Sequence, residues 1–339
     1  MRRVYLIRHG HPDIPLGERW CLGRTDLPLA AVGRMQAALL PFDPELTGKP
    51  VFSSFLSRAI ETAQPLCAEP RIVAGLEEQD LGEWDGLPFS EIMVRWPELY
   101  AAREANPNIW PESAETPESV RHRMRRAVLS CLEESKGDIV VVSHKSAIDS
   151  LTGQRPKLLH TSVSVLEWDG EVLTPVEVGR MPHPELTEEL CLALLHAAGT
   201  PENVIAHCCA VAGKAMQLAD RAEAGGVPVD RVLLYSAAML HDIARTEPDH
   251  AVLGAAWLRT LGYPDVAEVI AQHHDFEGNE LNEAALLFLA DKYLQGDREV
   301  TLEERFAASR ARCTTPEALL AHDRRCETAK RIEELLNWS

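Results

Sequence analysis

The stretch Val-Tyr-Leu-Ile-Arg-His-Gly, residues 4–10, decides how the first half of the chain is interpreted. Its four consecutive apolar residues are typical of a strand buried on both faces of a parallel sheet. The polar residues that follow would then lie at the carboxyl end of that strand, where open α/β sheets bind their ligands. Because Gly10 lets the backbone turn tightly and approach an anion closely, the stretch predicts a ligand site that contains Arg8 and His9.

The rest of the first half continues this alternation of strand and helix. A second apolar run, residues 139–142, leads to Ser143 and His144, so a second histidine would follow a buried strand. The segment 162–178 reads as two strands joined by the Asp169-Gly170 turn. Helical periodicity is present between the strands, at 30–40, 58–67 and 119–135. These signals predict an α/β domain.

The second half carries almost no strand signal and reads as consecutive helices with ordinary stop and start residues. A segment with two prolines, residues 179–187, separates the two patterns. We therefore predict an α/β domain over 1–180, a linker over 181–187 and an all-α domain over 188–339. The predicted helices are 188–198, 201–224, 230–244, 250–261, 265–274, 282–294 and 316–336.

Composition limits the kinds of partner that the chain would bind. The 339 residues include 34 basic and 52 acidic side chains, a formal charge of −18, which repels nucleic acid and anionic membranes. Apolar runs are broken by charges well before 18 residues, so no membrane span is expected. The eight cysteines include no C-x-x-C pair, which favours reduced thiols in the cytoplasm.

Three further motifs would complete an anion site around His9. Arg58 begins a predicted helix, where the helix dipole also favours an anion. The loop 76–86 is rich in carboxylates, and His144 follows the second strand. Imidazole can attack phosphorus, and arginine is the usual partner of phosphate oxygens.

Together with residues 23–29 and the closing strand 162–167, these motifs resemble the histidine phosphatase superfamily, whose fold is phosphoglycerate-mutase-like, over residues 3–178. The resemblance implies that His9 is a nucleophile that carries a phosphohistidine and that Glu78 is the general acid and then the base. It implies no metal in this domain. The residues expected to line the phosphate pocket are Arg8, Arg58 and His144, and those expected to bind the rest of the substrate are Arg24 and Lys145.

Lys145 and Ser146 stand where the family has a glycine pair after the second histidine, and the asparagine that usually follows Arg-His-Gly in mutase-like members is not evident. A mutase is disfavoured, and small phosphatases of the alpha-ribazole phosphatase type are nearer in length. The added charge of Lys145 suits a substrate with a second anionic group.

Histidines and aspartates fall on or beside separate helices of the second half, and such donors suit iron, manganese or zinc. Their order, His…His-Asp…His…His…Asp between residues 207 and 291, resembles the HD-domain phosphohydrolase superfamily over residues 186–300. The resemblance implies one metal held by His207, His241, Asp242 and Asp291, and a second added by His250 and His273. It also makes Arg245 and Lys292 candidates for binding phosphate. His274 is not expected to be a ligand.

These expectations combine into a bifunctional phosphohydrolase that acts on a small phosphorylated metabolite or nucleotide. One domain would remove a phosphomonoester, and the other would hydrolyse a nucleotide-like phosphoester or phosphoanhydride, in sequence on one metabolite. An alternative makes the HD half a non-catalytic regulator of the phosphatase. Another makes the first domain a phosphate-ester binder with weak catalysis. The helical tail after Thr301 is a candidate cover over the metal site or a homodimer contact.

Overall fold

The structure is a computed structural model that describes residues 1–153 and 157–338. The chain divides into two compact units, Met1–Pro184 and Glu185–Ser339. The division falls inside the segment 181–187 that the sequence predicts as a linker. The first unit is α/β and the second is helical.

Six strands of the described part of the first unit form one sheet, in the order β4-β3-β6-β1-β7-β8. Strand β1 lies parallel to β6 and antiparallel to β7, so it has a neighbour on each side. The strands are β1 (Arg2–Arg8), β2 (Trp20–Cys21), β3 (Val51–Ser53), β4 (Arg71–Ile72), β5 (Leu87–Pro88), β6 (Ile139–Ser143), β7 (Val163–Trp168) and β8 (Leu173–Arg180); β2 pairs with β5 apart from the sheet. The helices are α1 (Ala31–Ala38), α2 (Ser57–Ala63), α3 (Phe89–Arg95), α4 (Pro97–Ala105), α5 (Pro117–Glu133) and α6 (Lys145–Thr152).

The centre of the sheet is buried on both faces, which explains the unbroken apolar runs of β1 and β6. Val4 and Leu6 pack on one face with the apolar side of α5, including Val120 and Met124. The intervening side chains of β1, among them Ile7, pack on the opposite face. The carboxyl ends of β1 and β6 therefore meet at one edge of a rigid core.

The sequence predicted β1, β6, the β7–β8 hairpin and the three helices within a few residues. It did not predict β3, a strand of three residues. This strand is too short to show a clear period, and pairing with β6 stabilises it instead.

The second unit consists of α7 (Glu188–Ala198), α8 (Glu202–Ala224), α9 (Arg231–Leu240), α10 (His250–Leu261), α11 (Pro264–Ala271), α12 (Glu283–Lys292), α13 (Leu302–Arg310) and α14 (Pro316–Trp338), with a small β9–β10 hairpin (Leu294–Gln295, Arg298–Glu299). Helix α12 is buried along almost its whole length and packs against α8, α9 and α11, so it forms the centre of this unit. Among the described residues, no helix is both long and apolar enough to cross a membrane.

Two predicted helices end earlier than expected. Helix α9 stops at Leu240 and α11 at Ala271, so His241, Asp242 and His273 lie in turns that follow them. The backbone hydrogen bonds there join residues that are three apart instead of four, such as Arg245 N–H to the Asp242 carbonyl at 2.9 Å. The reading of His241 and Asp242 as neighbours on a continuing helix was therefore wrong.

Candidate active sites in the two units

His9 follows β1 directly and is buried at the carboxyl edge of the sheet. Its Nδ1 lies 2.7 Å from the Gly10 carbonyl oxygen, and because a carbonyl only accepts, Nδ1 carries the proton. The Nε2 lone pair is then left to act as a nucleophile. Burial, then the charge of Arg58, hold the pKa of His9 well below its usual value, so the ring is neutral at physiological pH.

His144 lies beside His9, at the end of β6. The two ring centroids are 5.0 Å apart, and His144 Nε2 contacts the Ser54 hydroxyl at 2.9 Å. Its other ring nitrogen, Nδ1, is buried and has no hydrogen-bond partner. Burial and the charges of Arg58 and Arg8 lower the pKa of His144 well below its usual value. Because buried polar atoms are usually hydrogen-bonded, His144 Nδ1 is a candidate contact for a bound anion.

The two predicted arginines are held by backbone carbonyls. Arg58 Nη1 and Nη2 donate to the carbonyls of Thr25 and Gly23 at 2.8 and 2.7 Å. Arg8 Nη1 donates to the Leu158 carbonyl at 2.6 Å. Each arginine keeps a buried Nε without a partner. Burial lowers the pKa of Arg8 to about 10, so both guanidinium groups remain charged next to the histidines.

Glu78 is buried, and its carboxylate lies at the first turn of α6. It accepts from the backbone N–H groups of Ser146 at 3.1 Å and Ala147 at 3.2 Å, while its own neighbour Gln79 donates at 2.8 Å. Burial raises the pKa of Glu78, and these backbone N–H groups oppose the rise only in part. The site thus contains a carboxyl group that is biased toward its protonated form.

Arg123, on α5, fixes the loop that carries Glu78. Its guanidinium donates to the carbonyls of Gly75, Glu77 and Glu78 at 3.0, 2.7 and 2.9 Å. The same side chain pairs with Glu115 through two bonds of 2.8 and 2.9 Å. No local pattern indicates this role of Arg123, because the three loop carbonyls that it binds lie 45 to 48 residues away along the chain.

The two predicted substrate-binding residues of this unit are partly exposed. Arg24 lies 3.8 to 3.9 Å from carboxylates of Glu77, Asp80 and Glu115, with 42% of its side chain exposed. Lys145 donates to Asp149 at 2.6 Å and keeps 40% of its side chain exposed.

In the second unit, three predicted ligands form one group. The ligand atoms of His207, His241 and Asp291 all lie within 4.8 Å of one another. Within this group, His207 Nε2 lies 3.2 Å from Asp291 Oδ1. The three side chains come from α8, from the turn after α9 and from α12, so helix packing alone brings them together.

A second group consists of His250, His273 and His274, whose ligand atoms satisfy the same 4.8 Å limit. His250 begins α10, and the other two lie in the turn after α11. His274 Nε2 is 2.7 Å from His250 Nε2. From the sequence, His274 is not expected to be a metal ligand. The tight turn nevertheless brings its ring beside those of His250 and His273.

Asp242 lies between the two groups. Its Oδ1 is 3.2 Å from His250 Nε2 and 3.5 Å from His273 Nε2, and its Oδ2 is 3.7 Å from His241 Nε2. The structure therefore brings all six predicted ligands to one place. It groups Asp242 with both sets, whereas the sequence assigned it only to the first.

The hydrogen bonds of these histidines fit a metal. Nδ1 of His207, His241 and His273 each donates to a backbone carbonyl, at 2.7, 2.8 and 2.6 Å, which leaves each Nε2 as a lone pair. Nε2 of His241 and of His273 is buried without a hydrogen-bond partner, as is Oδ1 of Asp242. Histidine rings whose Nδ1 is bonded to a carbonyl and whose Nε2 has no hydrogen-bond partner are typical of metal centres.

Two basic residues adjoin this cluster. Lys292 is buried, and its ammonium donates to Asp291 Oδ2 at 2.6 Å and to the His273 carbonyl at 3.4 Å. Arg245 is half exposed and contacts His250 Nε2 at 3.0 Å and Asp242 at 3.6 Å. Lys292 thus contacts one predicted ligand from a buried position, while Arg245 contacts two predicted ligands from a half-exposed one.

Each unit of the chain matches a known protein family. The model of the "Histidine phosphatase superfamily (branch 1)" matches residues 4–179, more than half of the chain. The chain belongs to the histidine phosphatase superfamily. Residues 204–295 match the HD domain. The first unit is therefore a phosphatase domain, followed by an HD domain, a kind of domain that generally depends on metal.

Relatives of the phosphatase domain are found among curated proteins and solved structures. Phosphoglycerate mutase-like protein 4 of Arabidopsis thaliana is 32% identical over 202 residues, which cover 54% of this chain and 87% of that protein. Glucosyl-3-phosphoglycerate phosphatase of Mycobacterium tuberculosis is 29% identical over 174 residues, covering 46% and 76%. A solved structure of mycobacterial glucosyl-3-phosphoglycerate phosphatase is 25% identical, with a TM-score of 0.46 over 54% of this chain and 99% of that one.

The phosphatase domain also contains a histidine that the sequence analysis did not identify. The ring centroid of His160 is 5.6 Å from that of His9 and 5.1 Å from that of His11. It lies in a loop without a recognisable motif, and the only signal was its position shortly before the closing strand. The histidine phosphatase site is therefore larger than its motifs indicate.

Proposed function

We propose that this protein is a bifunctional phosphohydrolase, with a phosphomonoesterase site at His9 and a metal-dependent phosphohydrolase site in the HD domain. The observation that carries the first activity is the fixed tautomer of His9, which exposes a neutral Nε2 beside two charged guanidinium groups. A neutral nucleophile surrounded by cations suits attack on an anionic phosphorus centre.

The proposed reaction has two displacements. His9 Nε2 forms a bond to phosphorus, the P–O ester bond breaks, and the leaving oxygen takes the proton from Glu78. The Glu78 carboxylate then removes a proton from water as that water attacks phosphorus. The P–N bond breaks, inorganic phosphate leaves, and both residues return to their starting states. Arg8, Arg58 and His144 would bind the phosphoryl oxygens throughout, through the buried nitrogens that have no partner.

We infer a small phosphorylated metabolite as the substrate of this site. The relative from Mycobacterium tuberculosis is named as a phosphatase of glucosyl-3-phosphoglycerate, a compound that carries a further anionic group. Lys145 would contact such a group, since it is half exposed directly after His144. Arg24 is a weaker contact, because three carboxylates already surround it.

For the HD domain, we propose that His207, His241, Asp242 and Asp291 hold one divalent transition metal and that His250, His273 and His274 hold a second, with Asp242 shared. Iron, manganese or zinc suits this mixture of imidazole and carboxylate. When bound, the metals would supply Lewis acidity toward phosphoryl oxygens. Lys292 would keep Asp291 oriented, and Arg245 would bind a phosphate group at the opening.

A panel of phosphomonoesters, nucleotides and dinucleoside polyphosphates, each tested with and without a chelator, separates the two activities. The full chain is compared with the H9A and D242A variants. We expect H9A to lose only a chelator-resistant monoesterase, and D242A only a chelator-sensitive activity. Monoesterase activity that survives in H9A would overturn the first site.

The same panel tests the link between the domains. If the chelator-sensitive product is consumed by the monoesterase, the two sites act in sequence on one metabolite. If no chelator-sensitive turnover is found, and a ligand of the HD domain changes the monoesterase rate, the HD domain is a regulator.

A further inference from the structure

Arg8 precedes the proposed nucleophile, His9, and is held by one short segment, residues 158–162. Arg8 Nη1 donates to the Leu158 carbonyl at 2.6 Å. Its backbone N–H donates to the Ser162 carbonyl at 3.1 Å, and its carbonyl accepts from Thr161 N–H at 2.9 Å. The fourth contact comes from a side chain, because Arg8 Nη2 lies 2.9 Å from His160 Nε2.

The contact between Arg8 and His160 fixes the protonation state of the histidine. A guanidinium group only donates, so His160 Nε2 must present its lone pair, and a neutral ring then carries its proton on Nδ1. Burial and the charge of Arg8 lower the pKa of His160 well below its usual value, and His11 and the charge of Arg58 add to this effect. These groups surround His160 and keep it an acceptor.

The backbone at this point is strained, and the strain serves to aim His160. Thr161 has a φ of 58°, a left-handed conformation that a β-branched residue rarely adopts. Thr161 is buried, and its hydroxyl donates to the His160 carbonyl at 2.7 Å. Because Thr161 is strained and buried directly after His160, the His160 ring has little freedom to move away from Arg8.

We propose that His160 is a positioning residue of the phosphatase site, which accepts a hydrogen bond from Arg8 and so aims the one guanidinium nitrogen without a partner among the described residues, Nε, at the phosphoryl group. This inference rests on the proposed function, in which Arg8 binds phosphate beside His9. The contact restricts a flexible guanidinium before substrate arrives, so that binding loses less side-chain entropy. His160 acts through Arg8 and takes no part in bond breaking.

Three variants of the full chain separate acceptor strength from packing. H160L fills similar space but accepts nothing, whereas H160Q keeps an acceptor at about the reach of Nε2. H122L, at a side chain that is 76% exposed on α5, is the control for loss of a histidine. Binding of orthovanadate is measured by calorimetry in the presence of a chelator, and KM and kcat are measured with p-nitrophenyl phosphate.

We expect H160L to weaken orthovanadate binding and to raise KM by roughly tenfold or more, because a hydrogen bond to a charged group is lost. The orthovanadate affinity and KM of H160Q should stay within about threefold of the wild-type values. H122L should have the wild-type values. Equal losses in H160L and H160Q, or no loss in either, would overturn the inference. A wild-type chain that neither binds orthovanadate nor hydrolyses the ester would instead overturn the proposed function itself.

A measurement on the unmodified chain covers the case in which H160L does not fold. In ¹⁵N-histidine-labelled protein, the ring signals of His160 are assigned by their disappearance in H160Q. We expect a neutral ring with the proton on Nδ1 at neutral pH. A proton on Nε2, or a charged ring, would contradict the proposed contact.

Discussion

Glu78 accepts a hydrogen bond of 3.1 Å from the backbone N–H of Ser146, two residues after the second histidine of the phosphatase site. The proposed proton donor is therefore attached to the same helix start that follows His144. The N-terminus of a helix favours a charged carboxylate, whereas burial favours a neutral one. Burial prevails, since the pKa of Glu78 is raised above its usual value, which suits the proposed role of giving up and regaining a proton.

Replacing Glu78 with glutamine tests its role as an acid. E78Q should lower kcat by roughly 100-fold or more for an alkyl phosphate, whose leaving oxygen needs a proton. For p-nitrophenyl phosphate, whose leaving group is stable as an anion, the loss in the first step should be much smaller. Steady-state and burst kinetics with both esters measure this difference. A similar loss with both esters in the burst phase would exclude Glu78 as the acid.

The pH dependence of kcat/KM follows from the two pKa shifts. His9 must be neutral, and its lowered pKa moves the acidic limb of the profile below the usual range of histidine. Glu78 must be protonated in the first step, so kcat/KM should fall as the pH rises through its raised pKa. We expect the alkaline limb to be absent in E78Q. An alkaline limb that persists in E78Q at the same pH would show that a group other than Glu78 causes it.

Arg123 offers a test of positioning at a distance from the reaction. R123M removes the donors to three loop carbonyls and to Glu115, and should lower the free energy of unfolding by about 3 kcal/mol. Because the Glu78 loop is then free to shift, kcat should fall as well. R126M, at an exposed position of the same helix, is the matched control. Chemical denaturation together with kinetics measures both effects, and R123M that behaves like R126M would contradict this role.

In the HD domain, Lys292 can be replaced without removing a ligand. K292M leaves Asp291 Oδ2 without its 2.6 Å partner and should weaken metal binding by about tenfold through loss of orientation. K330M, on the exposed side of α14, is the control. Competition with a metal-sensitive dye gives the affinities. Tighter binding in K292M would mean that repulsion between the ammonium and the cation outweighs orientation.

The inclusion of His274 makes a prediction about metal number. If His250, His273 and His274 form a second site, H274A should lose one metal of the pair and keep the metal held by His207, His241 and Asp291. H207A should lose the other. Elemental analysis after dialysis measures the ratio of metal to protein. Retention of both metals in H274A would mean that His274 is not a ligand, as the sequence predicts.

The sequence predicted those parts of the two sites that short stretches of chain determine. Arg8, His9 and His144 follow short apolar runs rich in β-branched residues, and such runs are typical of buried strands, whose polar ends lie at the sheet edge. The ligands in the HD domain were predicted because a set of six imidazole and carboxylate groups in a known order is rarely accidental. These predictions required no knowledge of packing.

What the sequence did not predict depends on contacts between distant residues or on exact turns. His160 meets Arg8 across a separation of 152 residues, and no local pattern indicates such a contact. His274 depends on where α11 ends, and helix ends shift easily because a few backbone bonds decide them. The β9–β10 hairpin, whose Gly296 carbonyl accepts from His207, is too short to have a period.

The position of β1 between β6 and β7 has a consequence for synthesis of the protein. Val4 pairs with Ile139 and Leu166, so the first strand gains its first neighbour in the sheet only after about 135 more residues have been synthesised, and its second after about 160. At ordinary elongation rates the first of these intervals lasts roughly 7 to 27 s. We therefore expect the apolar β1 segment to need protection from aggregation during that interval, and His9 to reach its site only near the end of the domain's translation.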